Sequence, residues 1–148
     1  MKKLYLLFFS IFLLSVSCKK EESATPMKDP TIIQDQEEVE KTMVGSWAGV
    51  LNGGGNTENI EVIINKMAPG EKVAEGKYFD PTFSCGFDWT YELFSNGKVV
   101  FREKTHAPNM CYDELAVIAH LEDNDLDILH ISIRGPNGGL GLGKLDRK

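Results

Sequence analysis

From Val44 onward, apolar residues tend to recur at every second position, in runs broken by Gly, Pro, Asn and Asp. A period of two fits strands with one buried face. The runs predict eight strands over 44–51, 58–67, 72–79, 87–94, 98–104, 112–122, 126–134 and 139–146. Upstream the period is nearer that of a helix: Ile32, Ile33, Gln36, Val39 and Met43 form one weak stripe. Asp29-Pro30 offers an N-cap followed by proline at the first helical position, so a short helix is expected over about 30–42, plugging one end of the strand domain.

One hairpin can be registered from the residues alone. A two-residue Asn96-Gly97 turn would oppose Tyr91 to Arg102 on one face, whereas a three-residue Ser95-Asn96-Gly97 turn with a glycine bulge opposes Leu93 to Val99, Tyr91 to Phe101 and Trp89 to Glu103. The second arrangement sets Asp88 against Lys104 and Thr90 against Arg102 on the other face, so hydrophobic consistency predicts the bulged turn.

Connection lengths then suggest a topology. In an up-and-down order, the turns at 68–71, 95–97 and 123–125 share one end, and the mostly longer segments 52–57, 80–86, 105–111 and 135–138 share the other. Cys85 and Cys111 both fall at the second end and are expected to form a disulfide. Gly45, Gly49, Gly139, Gly141 and Gly143 recur in the first and last runs, where close backbone approach would let a curled sheet close. The expected fold is all-β: an eight-stranded antiparallel up-and-down barrel preceded by a short helix, with a two-sheet sandwich as the alternative.

Composition narrows the partners. The 148 residues carry 16 Lys and Arg against 22 Asp and Glu, a net charge of −6. This excludes the basic footprint that nucleic acid requires. Lys2 and Lys3 precede an apolar run, Leu4 to Val16, that is shorter than the roughly 20 residues of a membrane span and fits a signal peptide over 1–17. The run ends in Leu14-Ser15-Val16-Ser17-Cys18, which resembles the bacterial lipobox and implies lipidation of Cys18. Lys19-Lys20-Glu21-Glu22 resembles the surface-export signal of Bacteroidota lipoproteins. Together they imply an outer-membrane, cell-surface protein held by acyl chains, with residues 18–29 as a solvated tether and 43–148 as the barrel domain.

Gly45-Ser46-Trp47-Ala48-Gly49, opening the first strand, resembles the GxW signature of lipocalins and related calycins. The resemblance implies that Trp47 closes the barrel floor beneath a ligand cavity, with Arg147 the nearest positional match to the arginine that lipocalins lay across that tryptophan. A barrel with an apolar ligand is what it implies, not a reaction.

Trp47, Trp89, Tyr91, Phe101 and Leu93 are the expected apolar lining, and Glu103 faces inward beside Trp89. A buried carboxylate must be paired or neutralised. Glu103 therefore either orients a ligand's polar head or holds a structural cation such as Arg134. His120 and His130 flank the 123–125 turn and would sit diagonally at best, with no third metal ligand in view. The cluster Glu122, Asp123, Asn124, Asp125 and Asp127 lacks the glycine and final glutamate of a calcium loop. Gly53-Gly54-Gly55-Asn56 lacks the lysine of a phosphate loop. No catalytic residue, metal site or cofactor is expected. The expected role is non-enzymatic binding of a small, partly apolar molecule. The alternative is a surface protein-interaction module with a filled barrel and exposed Phe83, Phe87 or Met110 at its rim.

Overall fold

The computed structural model describes residues 35–107, 111–135 and 138–148. The expected signal segment 1–17, Cys18, the expected tether 18–29, residues 30–34 and Met110 lie outside the described residues. The described chain runs α1 (Gln36–Met43), β1 (Gly45–Gly53), β2 (Asn56–Ile64), β3 (Lys72–Phe79), β4 (Ser84–Ser95), β5 (Lys98–Thr105), β6 (Leu115–Glu122), β7 (Asp125–Gly135) and β8 (Gly138–Arg147). All neighbouring pairs are antiparallel, and β8 returns to pair with β1, giving a closed barrel in chain order. The eight expected strands are present, with ends displaced by up to a few residues; the sixth begins at Leu115 rather than 112.

Closure depends on glycine where β1 meets β8. Gly49 lies opposite Leu145, and a Cβ there would stand 2.1 Å from the Lys144 carbonyl oxygen. Only hydrogen fits between these backbones. The alternation that predicted the strands is the alternation of burial: Val99, Phe101, Glu103 and Thr105 face inward from β5, and Leu115, Val117, Ala119 and Leu121 from β6.

The helix starts later than expected. Its N-cap is Asp35, whose side chain accepts a hydrogen bond from the Glu37 backbone N–H. Of its expected apolar stripe, Val39 and Met43 are buried against the barrel, and Ile32 and Ile33 lie outside the described residues. The end it covers is further tied by the Trp47 indole N–H donating to the Met43 carbonyl at 2.8 Å, and by the Tyr91 hydroxyl donating to Glu40.

The β4–β5 hairpin corrects the expected turn. The strands end at Ser95 and resume at Lys98, so the connection is the two-residue Asn96-Gly97, with φ of 52° and 72°. Positive φ at both positions is the type I′ geometry, whose twist matches that of the flanking strands. Farther down, Tyr91 opposes Phe101, Trp89 opposes Glu103 and Asp88 opposes Lys104, as the hydrophobic pattern requires. The two demands are reconciled by a bulge between Tyr91 and Leu93, so the extra residue is Glu92 rather than one in the turn. Past the bulge the faces exchange. Leu93 pairs with Val100 and is 49% exposed, while Phe94 packs against the core.

The ends of the barrel are less different in loop length than expected. One end carries α1 and the connections 65–71, 96–97 and 123–124, and the other carries 54–55, 80–83 and, of the β5–β6 connection, the described residues 106–107 and 111–114. Cys85 and Cys111, at this second end, form a disulfide.

Candidate functional site

The barrel interior is filled unequally along its length. From Tyr78, near the end opposite α1, aromatic rings follow one another toward the α1 end: Tyr78 to Phe87 (4.6 Å between centroids), Phe87 to Trp89 (5.4 Å), Trp89 to Phe101 (5.1 Å) and Phe101 to Tyr91 (6.1 Å). An eight-stranded barrel is just wide enough to be filled by such side chains. At the end opposite α1 the inward positions carry smaller groups: β1, which contributes Trp47 lower down, ends in Gly53, and β5, which contributes Phe101, ends in Thr105. A cavity of about 240 Å³ opens there. Leu51, Phe83, Leu115 and Ile133 give it apolar walls, the Cys85–Cys111 bridge and Tyr112 lie along it, and Glu58, Tyr78 and Glu103 are its principal polar groups.

Glu103 is the chemical centre of this cavity. It has no solvent exposure, and one oxygen, Oε2, accepts from the Tyr78 hydroxyl at 2.5 Å and from the Trp89 indole N–H at 2.9 Å. No described residue donates to the other oxygen, Oε1, which is itself buried. Burial pushes the carboxyl up to about 7; the two donated bonds pull against that shift, and the charge of Asp113 adds to it. Tyr78 is in turn held protonated well above the usual phenol range, by burial first and by the Glu103 charge second. Glu58 on β2 is raised as well, by partial burial and then by Asp80.

The expected partner of Glu103 is different from the observed ones. Arg134 is exposed on β7 and forms no ion pair with Glu103, whose hydrogen-bond donors are a phenol and an indole. Of the expected lining residues, Glu103 borders the cavity, whereas Trp89, Tyr91 and Phe101 belong to the packed column beneath it. Leu93 lies outside the barrel, beyond the bulge. Trp47 lies at the α1 end, buried, with the Arg147 guanidinium 4.2 Å from its ring centroid. Arg147 also donates to the carbonyl oxygens of Thr42 and Val44 and pairs with Asp127. Phe87 is fully buried rather than exposed at the rim, and Phe83 is half-buried along the cavity. The exposed aromatic of that rim is Tyr112.

Tyr78 and Glu58 did not stand out in the sequence. Both occupy inward positions of their strands, so parity alone could have located them.

The histidines lie outside this cavity. His120 and His130 are directly opposed rather than diagonal, because the β6–β7 register shifts between Leu121 and Glu122. Their rings stack at 5.1 Å, His130 contacts Glu122 at 3.2 Å, and His120 is lowered by burial and then by its histidine neighbour. His106 pairs with Asp88 on the barrel exterior. Among the described residues no group of three or more His, Cys, Asp or Glu is arranged to hold a metal ion.

The architecture recurs in a known structure. A redesigned beta barrel matches with a TM-score of 0.55 at 10% identity, over 74% of this chain and 95% of that one. At that identity the likeness establishes the barrel fold alone. No protein-family model matches the chain, and no curated protein sequence does.

Proposed function

We propose that this chain is an outer-membrane lipoprotein, anchored at the cell surface through lipidated Cys18, whose lipocalin-like barrel binds a small, partly apolar molecule without chemically changing it. The observation that carries the binding reading is the cavity of about 240 Å³ that places buried Glu103 among apolar walls. Small-molecule sites are concave, mostly apolar and furnished with a few placed polar groups. The lipocalin-like reading draws support from the Trp47–Arg147 contact at the covered end, on the residues whose pattern resembles the GxW signature. The membrane address rests on residues 1–22, through the lipobox-like Leu14-Ser15-Val16-Ser17-Cys18.

Native mass spectrometry of the full-length protein checks the first part: a co-purifying small molecule supports it, and release of that molecule on unfolding locates it in the folded barrel. Labelling with a fatty acid checks the second, since wild type is expected to incorporate label and Cys18→Ser is not. Equal incorporation by both would remove the anchor. A second reading, docking of a surface protein at the same end, draws on Tyr112, which is 73% exposed at the rim. A stable one-to-one protein complex lost in Tyr112→Ala, with no small molecule bound, would favour it.

A further inference from the structure

Resting on the binding reading above, we propose that the cavity selects a ligand whose polar head is a protonated amine, seated against the Glu103 carboxylate, with an apolar body about the size of a substituted benzene.

The sign of the charge comes from the wall. The ionisable side chains that line the cavity are Glu58, Tyr78, Glu103 and Tyr112, and no Lys, Arg or His is among the described lining residues. A concave, low-dielectric wall carrying carboxylates and no cation concentrates negative potential. A ligand ending in its own carboxylate, such as a fatty acid, would bring a like charge into that space and raise the cost of ionising both groups. An ammonium group does the reverse.

The bonding requirement points the same way. Oε2 of Glu103 is already occupied by Tyr78 and Trp89, whereas Oε1 is buried and receives nothing from the described protein. A buried acceptor left unsatisfied is costly, and a charge-assisted N–H donor is the strongest group that could satisfy it. Tyr78, Phe83 and Tyr112 also border the cavity, and aromatic rings attract cations where their faces are presented.

The size limit comes from the volume. An engineered apolar cavity of about 150 Å³ holds benzene. The cavity of about 240 Å³ has room for an aromatic ring with a short aminoalkyl arm.

Among the described residues, the groups around Glu103 that bear on a pH experiment are Tyr78, Glu58, Asp113 and, at the rim, Tyr112. Tyr78 comes from β3, Glu58 from β2, and Asp113 from the segment before β6, while β4 brings Trp89 and the disulfide-bonded Cys85. Tyr78 stays protonated through neutral pH.

The test is calorimetric titration of the full-length protein with three probes of one shape: 2-phenylethylamine, 2-phenylethanol and 3-phenylpropionate. At pH 8 the amine is expected to bind at least tenfold tighter than the alcohol, and the carboxylate not at all. Lowering the pH to 5.5 protonates Glu103 and should weaken the amine at least tenfold, leaving the alcohol nearly unchanged; the amine keeps its own proton, since such groups titrate near about pH 10. Glu103→Gln should reproduce the low-pH behaviour at pH 8, and Glu58→Gln should weaken the amine by a smaller factor. If Glu103→Gln does not fold, the wild-type pH comparison decides. Alcohol binding as tight as amine binding, or tighter binding of the carboxylate, overturns the charge preference and leaves the binding reading standing. No heat from any probe at millimolar concentration overturns both.

Discussion

Glu103 occupies a position where the two-residue period of β5 calls for an apolar side chain, between Phe101 and Thr105 on the inward face. A buried carboxyl with a raised pKa binds its proton more tightly folded than unfolded, so it favours folding at low pH and disfavours it as pH rises. With a folded value of about 7 against an ordinary 4.5, the stabilisation relative to alkaline solution is complete below pH 4.5 and lost between there and pH 7. The difference corresponds to about 3 kcal/mol. Glu103→Gln offers an amide oxygen to Tyr78 and Trp89 and removes the charge. Thermal unfolding should therefore find the variant more stable than wild type at pH 8 and nearly equal to it at pH 4.5; a wild type unaffected by pH across this window would contradict the burial argument. The inward position of Glu103 was legible because parity is a local property. Its neighbour Trp89 was legible from the same hairpin pairing, but its donor Tyr78 was not, since Tyr78 lies two strands away on β3 and is brought to it by the curl of the sheet across β4.

Among the elements, the hairpin shows how local and non-local demands divide the chain. Asn96-Gly97 selects a two-residue turn, the aromatic pairs farther along select a register one residue out of step with it, and Glu92 absorbs the difference. The sequence displays both preferences but not where the extra residue goes. That depends on which site gives up pairing at least cost. At the barrel seam the constraint is steric: Gly49→Ala would force a Cβ against the Lys144 carbonyl. It should lower stability by about 1–3 kcal/mol, read from denaturant unfolding, with a larger loss if β8 detaches from β1. At the covered end, Arg147 joins β8 to the α1–β1 connection through Thr42 and Val44 while lying over Trp47. Arg147→Ala should cost about 1–2 kcal/mol, and Arg147→Lys should recover only part of it, because an ammonium cannot both lie flat on the indole and reach two carbonyls.

At the scale of the whole molecule, the Cys85–Cys111 bridge, with a sequence separation of 26, ties the start of β4 to the segment leading into β6 and borders the cavity. Replacing both cysteines with alanine should lower stability by about 3.5 kcal/mol on the chain-entropy account. It should also loosen that end more than the α1 end, visible as faster amide exchange in residues 84–87 than in 43–47. Equal exchange at both ends would argue that the bridge acts only by constraining the unfolded chain. The sequence by itself determined the all-β class, the strand count, the antiparallel order and the cysteine pair, because each follows from alternation along single segments and the lengths between them. The late start of α1, the bulge at Glu92, the opposition of His120 and His130, and the division of the interior into a packed half and an open one were decided only in three dimensions. A cavity is a difference between the space a closed barrel encloses and the volumes that eight separate strands send into one level. No single stretch of chain carries that sum.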